Sequence, residues 1–235
     1  MKILALESSA TAASAAVCEE ERLIAQSQQC TGLTHSATLM PMTQALLKNA
    51  GLTLADIDVF AVAAGPGSFT GLRIGVSAVK GLAWALERPC AACSTLESMA
   101  WQVAHMDGEI CSVMDARRGQ VYNARFAAEE GHLVRLSEDR AISLEELAAE
   151  AKKSGKLQII VGDGAALCYN AFQEQGLSAR LAPPHLRYQT AWGVARCAVE
   201  LCRKDGLISA AALSPDYHRL SQAERERLKK EKGTV

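Results

Sequence analysis

The sequence predicts an α/β protein of two lobes, each built on a mixed sheet flanked by helices, and three observations carry that expectation. Short apolar runs that suit buried strands alternate with longer segments whose apolar residues recur at helical spacing. A theme of strands followed by helices, set out in the first hundred residues, begins again after residue 106. The length of 235 residues, 49% of them apolar, is enough for one sizeable core or two small ones.

Taken in order, Ile3 to Ser9 reads as the first strand, and Ala13 to Cys18 and Leu23 to Cys30 as the next two. The acidic run Glu19-Glu20-Glu21 suits the hairpin turn between the latter pair. Thr34 is placed to cap a helix from His35 to Ala50, and Gly51 to stop it. A strand from Ile57 to Ala64 leads through a glycine-dense turn to a helix that starts near Arg73 and runs through Val76 to Leu86. The second unit has strands at Ile110 to Asp115, Gln120 to Phe126 and Gln158 to Gly162, then helices at Ala165 to Gln175 and Ala191 to Lys204. The charged run from Gln222 to Lys232 suits a solvated helical end. Three strands, a helix, a strand and a helix form the opening half of an actin-like, ribonuclease H-like domain, an analogy of pattern. The expected division is residues 1–106 for an N-terminal lobe, completed by about 190–235, and 107–189 for a smaller second lobe.

Composition excludes several function classes. A formal net charge of -1 supplies no global basic field, so any RNA would be gripped mainly by a partner. The opening Met1-Lys2-Ile3-Leu4-Ala5-Leu6-Glu7 is no signal core, and no apolar run approaches the ~20 residues that span a bilayer, which predicts a cytoplasmic protein without a membrane role. The eight cysteines are then expected to be reduced. Cys90 and Cys93 form a lone Cys-x-x-Cys with no second pair and read as buried thiols.

The segment Gly65-Pro66-Gly67-Ser68-Phe69-Thr70-Gly71-Leu72-Arg73-Ile74-Gly75 stands out. A strand, a glycine-rich turn and a helix start together bring backbone N–H groups within reach of an anion or another backbone. No Lys-Ser/Thr pair follows, as a P-loop requires, and the spacing is not that of a dinucleotide fingerprint. The better reading is a tight turn, with Gly65, Gly67, Ser68, Thr70, Gly71 and Arg73 as its motif, whose glycines allow close packing at a subunit interface.

A phosphotransferase would place an acid and hydroxyls where Glu7, Ser8 and Ser9 stand. Its second acidic turn would fall at Asp115 and its nucleoside loop at Gly162 and Gly164. Ala116-Arg117-Arg118-Gly119 displaces the glycine such a turn needs, so these residues mark a vestigial nucleotide or phosphate site. His35 has Leu39 at i+4 where a metal-binding helix has a second His, and the other histidines form no ligand set. Gly-x-Ser-x-Gly does not occur. The residues thus assign no catalytic group and no metal. An interface is expected instead on two helices, at His35, Leu39, Met42 and Leu46, and at Arg73 with the small-residue stripe Ser77, Gly81 and Ala85.

Five segments resemble the bacterial tRNA threonylcarbamoyladenosine biosynthesis family TsaB, also called YeaZ-like. They are Leu4 to Ser9, the Gly65 to Gly75 turn, Ser94-Thr95-Leu96-Glu97-Ser98-Met99-Ala100, Asp115 to Tyr122, and Pro215-Asp216-Tyr217-His218-Arg219. Glu7 stands where many members have Asp, and His218 in a slot usually apolar. The resemblance implies an actin-like fold and a non-catalytic subunit that dimerises with the larger paralogue TsaD, which transfers threonylcarbamoyl to N6 of an adenosine in tRNA. It further implies joining by the ATPase TsaE, a homodimer when alone, tRNA contacted through the complex, and no cofactor of its own, with ATP or ADP at the complex interface. The TsaD-like proteins carry the His-x-x-x-His that this chain lacks. The alternatives are a small actin-like phosphotransferase or ATPase and, behind it, a glycoprotease-like metallopeptidase.

Overall fold

The structure is a computed structural model and describes residues 1–117 and 119–218. Its first half runs β1 (Lys2–Glu7), β2 (Ala13–Glu19), β3 (Arg22–Gln29), α1 (His35–Asn49), β4 (Val59–Gly65), α2 (Phe69–Ala85), β5 (Cys90–Ser94) and α3 (Thr95–Gln102). The second half repeats that order with one extra strand, β9, before its first helix: β6 (Gly108–Asp115), β7 (Gln120–Glu129), β8 (His132–Arg135), β9 (Arg140–Ser143), α4 (Leu144–Ser154), β10 (Gln158–Val161), α5 (Ala165–Glu174), β11 (Ala179–Leu181) and α6 (Ala191–Arg203).

The repeat extends to pairing. One sheet is ordered β3-β2-β1-β4-β5 and the other β8-β7-β6-β10-β11, with β9 also on β7. In both, the first strand pairs antiparallel with its hairpin neighbour and parallel with the strand that follows the first helix. This is the two-lobed, actin-like α/β architecture of mixed sheets that the sequence predicts.

The central strands are apolar throughout because helices cover both sheet faces. On one face of the first sheet Leu4, Leu6, Phe60 and Val62 meet Leu39, Leu46, Leu47, Val76 and Val79 of α1 and α2. On the other, Ile3, Ala5, Ala61 and Ala63 meet Val194, Ala195 and Ala198 of α6. The second sheet packs Ile110, Phe126 and Ile159 against Leu96 and Met99 of α3 and Val103 just past its end, and Val113 and Ile160 against Leu147 and Phe172 of α4 and α5. Helices α3 and α6 therefore lie back to back between the sheets. Their crossing is close enough that a Cβ on Gly193 would sit 2.0 Å from the Ser98 carbonyl.

Several expectations change in detail. Helix α2 begins at Phe69 rather than near Arg73, because extended Ser68 caps it, its Oγ accepting from Gly71 N at 3.4 Å. Thr34 holds the cap position of α1 without a side-chain cap bond, and Gly51, at φ +67°, ends that helix. Strands β5, β8, β9 and β11 and helices α3 and α4 are additions to the sequence reading. Cys90 and Cys93 are buried free thiols. Among the described residues no helix is long and apolar enough to cross a membrane. The Gln222 to Lys232 run, Arg118 and Arg219 lie outside the described residues.

Candidate functional site in the cleft between the lobes

A cleft of about 610 Å³ separates the lobes. One wall is the β1–β2 turn, Ser9 to Thr11, with the start of α2, Gly67 to Thr70; the other is the end of β6, Met114 to Arg117, with Asp163 beyond β10. Asp216, Tyr217 and His218 close one side. His35 positions the turn: its Nε2 lies 2.6 Å from the Ala10 carbonyl.

The glycine-rich segment has a different task from the one expected. A Cβ on Gly71 would lie 2.1 Å from the Ser8 carbonyl, one on Gly75 2.5 Å from Ser8 Oγ, and one on Gly67 2.7 Å from the Ser9 carbonyl. One on Gly65 would lie 2.1 Å from the Asp216 carbonyl. The subunit-interface reading of these glycines is thus corrected: they admit atoms of their own chain. Ser68 N donates to the Ser9 carbonyl at 2.6 Å, Ser8 Oγ to the Gly71 carbonyl at 2.9 Å, and Asp216 N to the Ala64 carbonyl at 2.8 Å.

This packing seals Glu7. The side chain is fully buried, Oε1 accepts from Ser9 N at 2.5 Å, and Oε2 has no partner. Burial, opposed by the bonds from Ser9 and reinforced by the Asp163 charge, pushes its carboxyl up to about 7. Of the other vestigial-site residues, Ser9 and Asp115 line the cleft on facing walls. Asp115 lies exposed at the end of β6, where its Oδ1 accepts from Arg117 N at 2.6 Å. Gly162 and Gly164 are buried, packed on the Val113 carbonyl and on Met114 and Asp115 backbone. Ser8 has spent its hydroxyl on Gly71, and neither Glu7 nor Ser8 lines the cleft. These groups do not fit a nucleoside triphosphate, since the acid and hydroxyl that would meet its phosphates are turned inward.

Asp163, Phe69, Thr11 and Tyr217 also line the cleft; the first, second and fourth lie inside segments that the sequence marks, without a role of their own there, and Thr11 lies outside them. Asp163 is mostly buried; its Oδ1 accepts from Gln189 Nε2 at 3.1 Å, and burial together with the Asp115 charge holds its carboxyl above the usual range. Its flanking glycines were the available signal. Tyr217 stacks on Phe69 with ring centroids 4.7 Å apart. Arg73 lies 3.9 Å over Phe69 and donates from Nε to Tyr217 Oη at 2.9 Å.

The predicted interface helices divide by face. On α1, Leu39 and Leu46 are buried in their own core, which makes them poor partner contacts; the outward residues include Met40, Pro41 and Ala45, with Met42 half-buried. On α2, Arg73, Ser77, Gly81 and Ala85 are all exposed, nothing lies within 4 Å of a Cβ on Gly81, and Trp84 between them is 65% exposed.

Known proteins resemble this chain over most of its length. The family model described as TsaD, tRNA N6-adenosine threonylcarbamoyltransferase, matches residues 27–225. The tRNA threonylcarbamoyladenosine biosynthesis protein TsaB of Bacillus subtilis is 35% identical over 167 residues, 71% of this chain and 73% of that protein. The solved structure of YeaZ from Pseudomonas aeruginosa superposes with a TM-score of 0.79 at 28% identity, covering 92% of this chain and 99% of that one. Component A of the (R)-2-hydroxyglutaryl-CoA dehydratase of Acidaminococcus fermentans, at a TM-score of 0.50 and 12% identity over 90% of this chain and 99% of its own, shares the fold alone.

Proposed function

This chain belongs to the TsaB family, within the wider family that includes the tRNA N6-adenosine threonylcarbamoyltransferase TsaD, and we propose that it serves tRNA threonylcarbamoyladenosine biosynthesis as a non-catalytic partner subunit. The observation that carries this reading is the outer face of α2, where Arg73, Ser77, Gly81 and Ala85 are exposed around a Trp84 that its own core leaves 65% exposed. A stripe of small residues beside a large exposed aromatic suits close approach of another helix. The partner is TsaD, with TsaE joining the pair, tRNA reached through the complex, and a second copy of this chain occupying the face when TsaD is absent. ATP or ADP belongs to the complex interface.

Two further features support a division of labour in which the partner holds the chemistry. Leu39 stands where a metal-binding helix would carry its second histidine, and Glu7 is sealed beneath α2. Reconstituted threonylcarbamoylation of tRNA tests the reading: product should depend on this chain and be absent when it acts alone. Gly81→Glu or Ala85→Glu should abolish co-elution with TsaD and product while circular dichroism stays native. Product formed without this chain, or by it alone, would overturn the proposal.

A further inference from the structure

Among the described residues five strands stand at a sheet edge, and four of them are protected. β5 is covered by the segment at Ile208, whose N–H donates to the Cys90 carbonyl at 2.9 Å and whose carbonyl accepts from Cys90 N at 2.8 Å. β8, β9 and β11 are four residues or fewer, and each carries an arginine: Arg135, Arg140 and Arg180. Short length and edge charge are the usual defences against pairing with another chain. β3 has neither, being eight residues long and, after Arg22, uncharged through Gln29. Its register with β2 shifts once, between Val17 and Cys18, which leaves the stretch Ala25 to Gln29 regular. A groove of about 650 Å³ lies between this strand and α1. Small side chains keep it open, Ala25 and Ser27 on the strand and the exposed Ala37 and Ala45 on the helix. Among the described residues none that lines it is charged. Pro41 has no N–H to give, so the Ala37 carbonyl on the helix wall lacks its helical donor.

We propose that the edge of β3 and the groove beside it bind an extended, uncharged segment of a partner polypeptide, which joins the five-stranded first sheet as a further strand. Backbone chemistry selects this class, because the alternating N–H and carbonyl groups of an edge strand are matched along their length only by another strand. Every second side chain of the added segment then points into the groove, against Met42 and Leu46 of α1. Met42, expected from the sequence at an interface, thus has a place in one. A charged side chain would lose its hydration here and find no counter-charge, so the groove admits apolar and small polar residues. The Ala37 carbonyl accepts a further N–H from the segment. This surface is separate from the outer face of α2 assigned to TsaD, since none of Arg73, Ser77, Gly81 and Ala85 lines it.

Panning a phage library of random eight-residue peptides, the length of β3, against the full chain tests the proposal, with the enriched peptides synthesised and their binding measured by fluorescence anisotropy. Enriched sequences should be uncharged, with β-branched or apolar residues at every second position. Gln26→Lys and Gln29→Lys, each placing a charge at the groove, should weaken binding about tenfold or more, as should Ala45→Glu on the helix wall, while circular dichroism stays native. Methylating alternate backbone nitrogens of the peptide should abolish binding in one of the two alternations and spare it in the other. No enrichment, enriched sequences that are charged or whose apolar residues recur at helical spacing, or binding undiminished in all three variants would overturn it. Self-association of the chain that Gln26→Lys abolishes would overturn it too, because the edge would then belong to a second copy.

Discussion

The two lobes repeat one topology yet treat the acid at the end of their first strand in opposite ways. Glu7 ends β1 and is fully buried; Asp115 ends β6 and is exposed to the cleft. The difference comes from the helix that follows the fourth strand of the first lobe. Gly71 and Gly75 let α2 settle onto Ser8, and Ser68 and Ser8 stitch the two segments together. Among the described residues nothing comparable covers Asp115, whose turn runs on through Ala116 and Arg117 into the cleft wall. Equivalent positions in a duplicated fold thus diverge when one gains a covering helix, because burial changes what an acid costs.

The largest effect should come from removing the space that closes the first turn. Gly71→Ala places a methyl 2.1 Å from a backbone oxygen that cannot yield, and should destabilise by about 3 kcal/mol or more in denaturant titration. Glu7→Gln should act through pH. Because burial raises the folded-state value from 4.5 to about 7, the native state holds its proton longer than the unfolded chain, and stability is lost as pH rises between those values. Replacing the acid should flatten that slope and raise stability at pH 8 by about 2–3 kcal/mol, read from melting curves between pH 4 and 8. If the slope persists in Glu7→Gln, another group is responsible. Asp115→Asn, the counterpart in the other lobe, should alter stability by under about 0.5 kcal/mol in denaturant titration, because its side chain is exposed. Equal stability changes from Glu7→Gln and Asp115→Asn would erase the distinction between the lobes.

Much of the fold is legible in the residues. β1 and β4 read as strands because helices on both faces demand unbroken apolar runs, and α1, α5 and α6 because their apolar positions recur at helical spacing. Shorter pieces escape this logic. β8 and β9 are four residues each and β11 three, too short for a period to show. Helix α4 escapes it too, although Ser143 and Glu146 form a capping box that is readable in the residues. The start of α2 is displaced in the sequence reading because glycines weaken a helix in isolation, and only contact with Ser8 explains Gly71 and Gly75 in its first two turns, and contact with Ser9 explains Gly67 just before it. The site is less legible than the fold. Gly162 and Gly164 stand out as glycines, while Asp163 between them, which reaches the cleft, carries no pattern of its own.

By itself the sequence determined the fold class, the repeated order of strands and helices, the family, and the absence of a second histidine after His35. Those properties live in local spacing and in residue identity, which a chain carries before it folds. The tertiary structure alone decided that the Gly65 to Gly75 turn packs on its own chain, that Glu7 is sealed while Asp115 is open, and that Leu39 and Leu46 face inward as Ser77 and Gly81 face out. The contact that decides the first two, Ser8 with Gly71, joins residues 63 apart in the chain. No local pattern encodes which distant backbone a glycine will admit, since that depends on how two sheets and the helices between them come to rest.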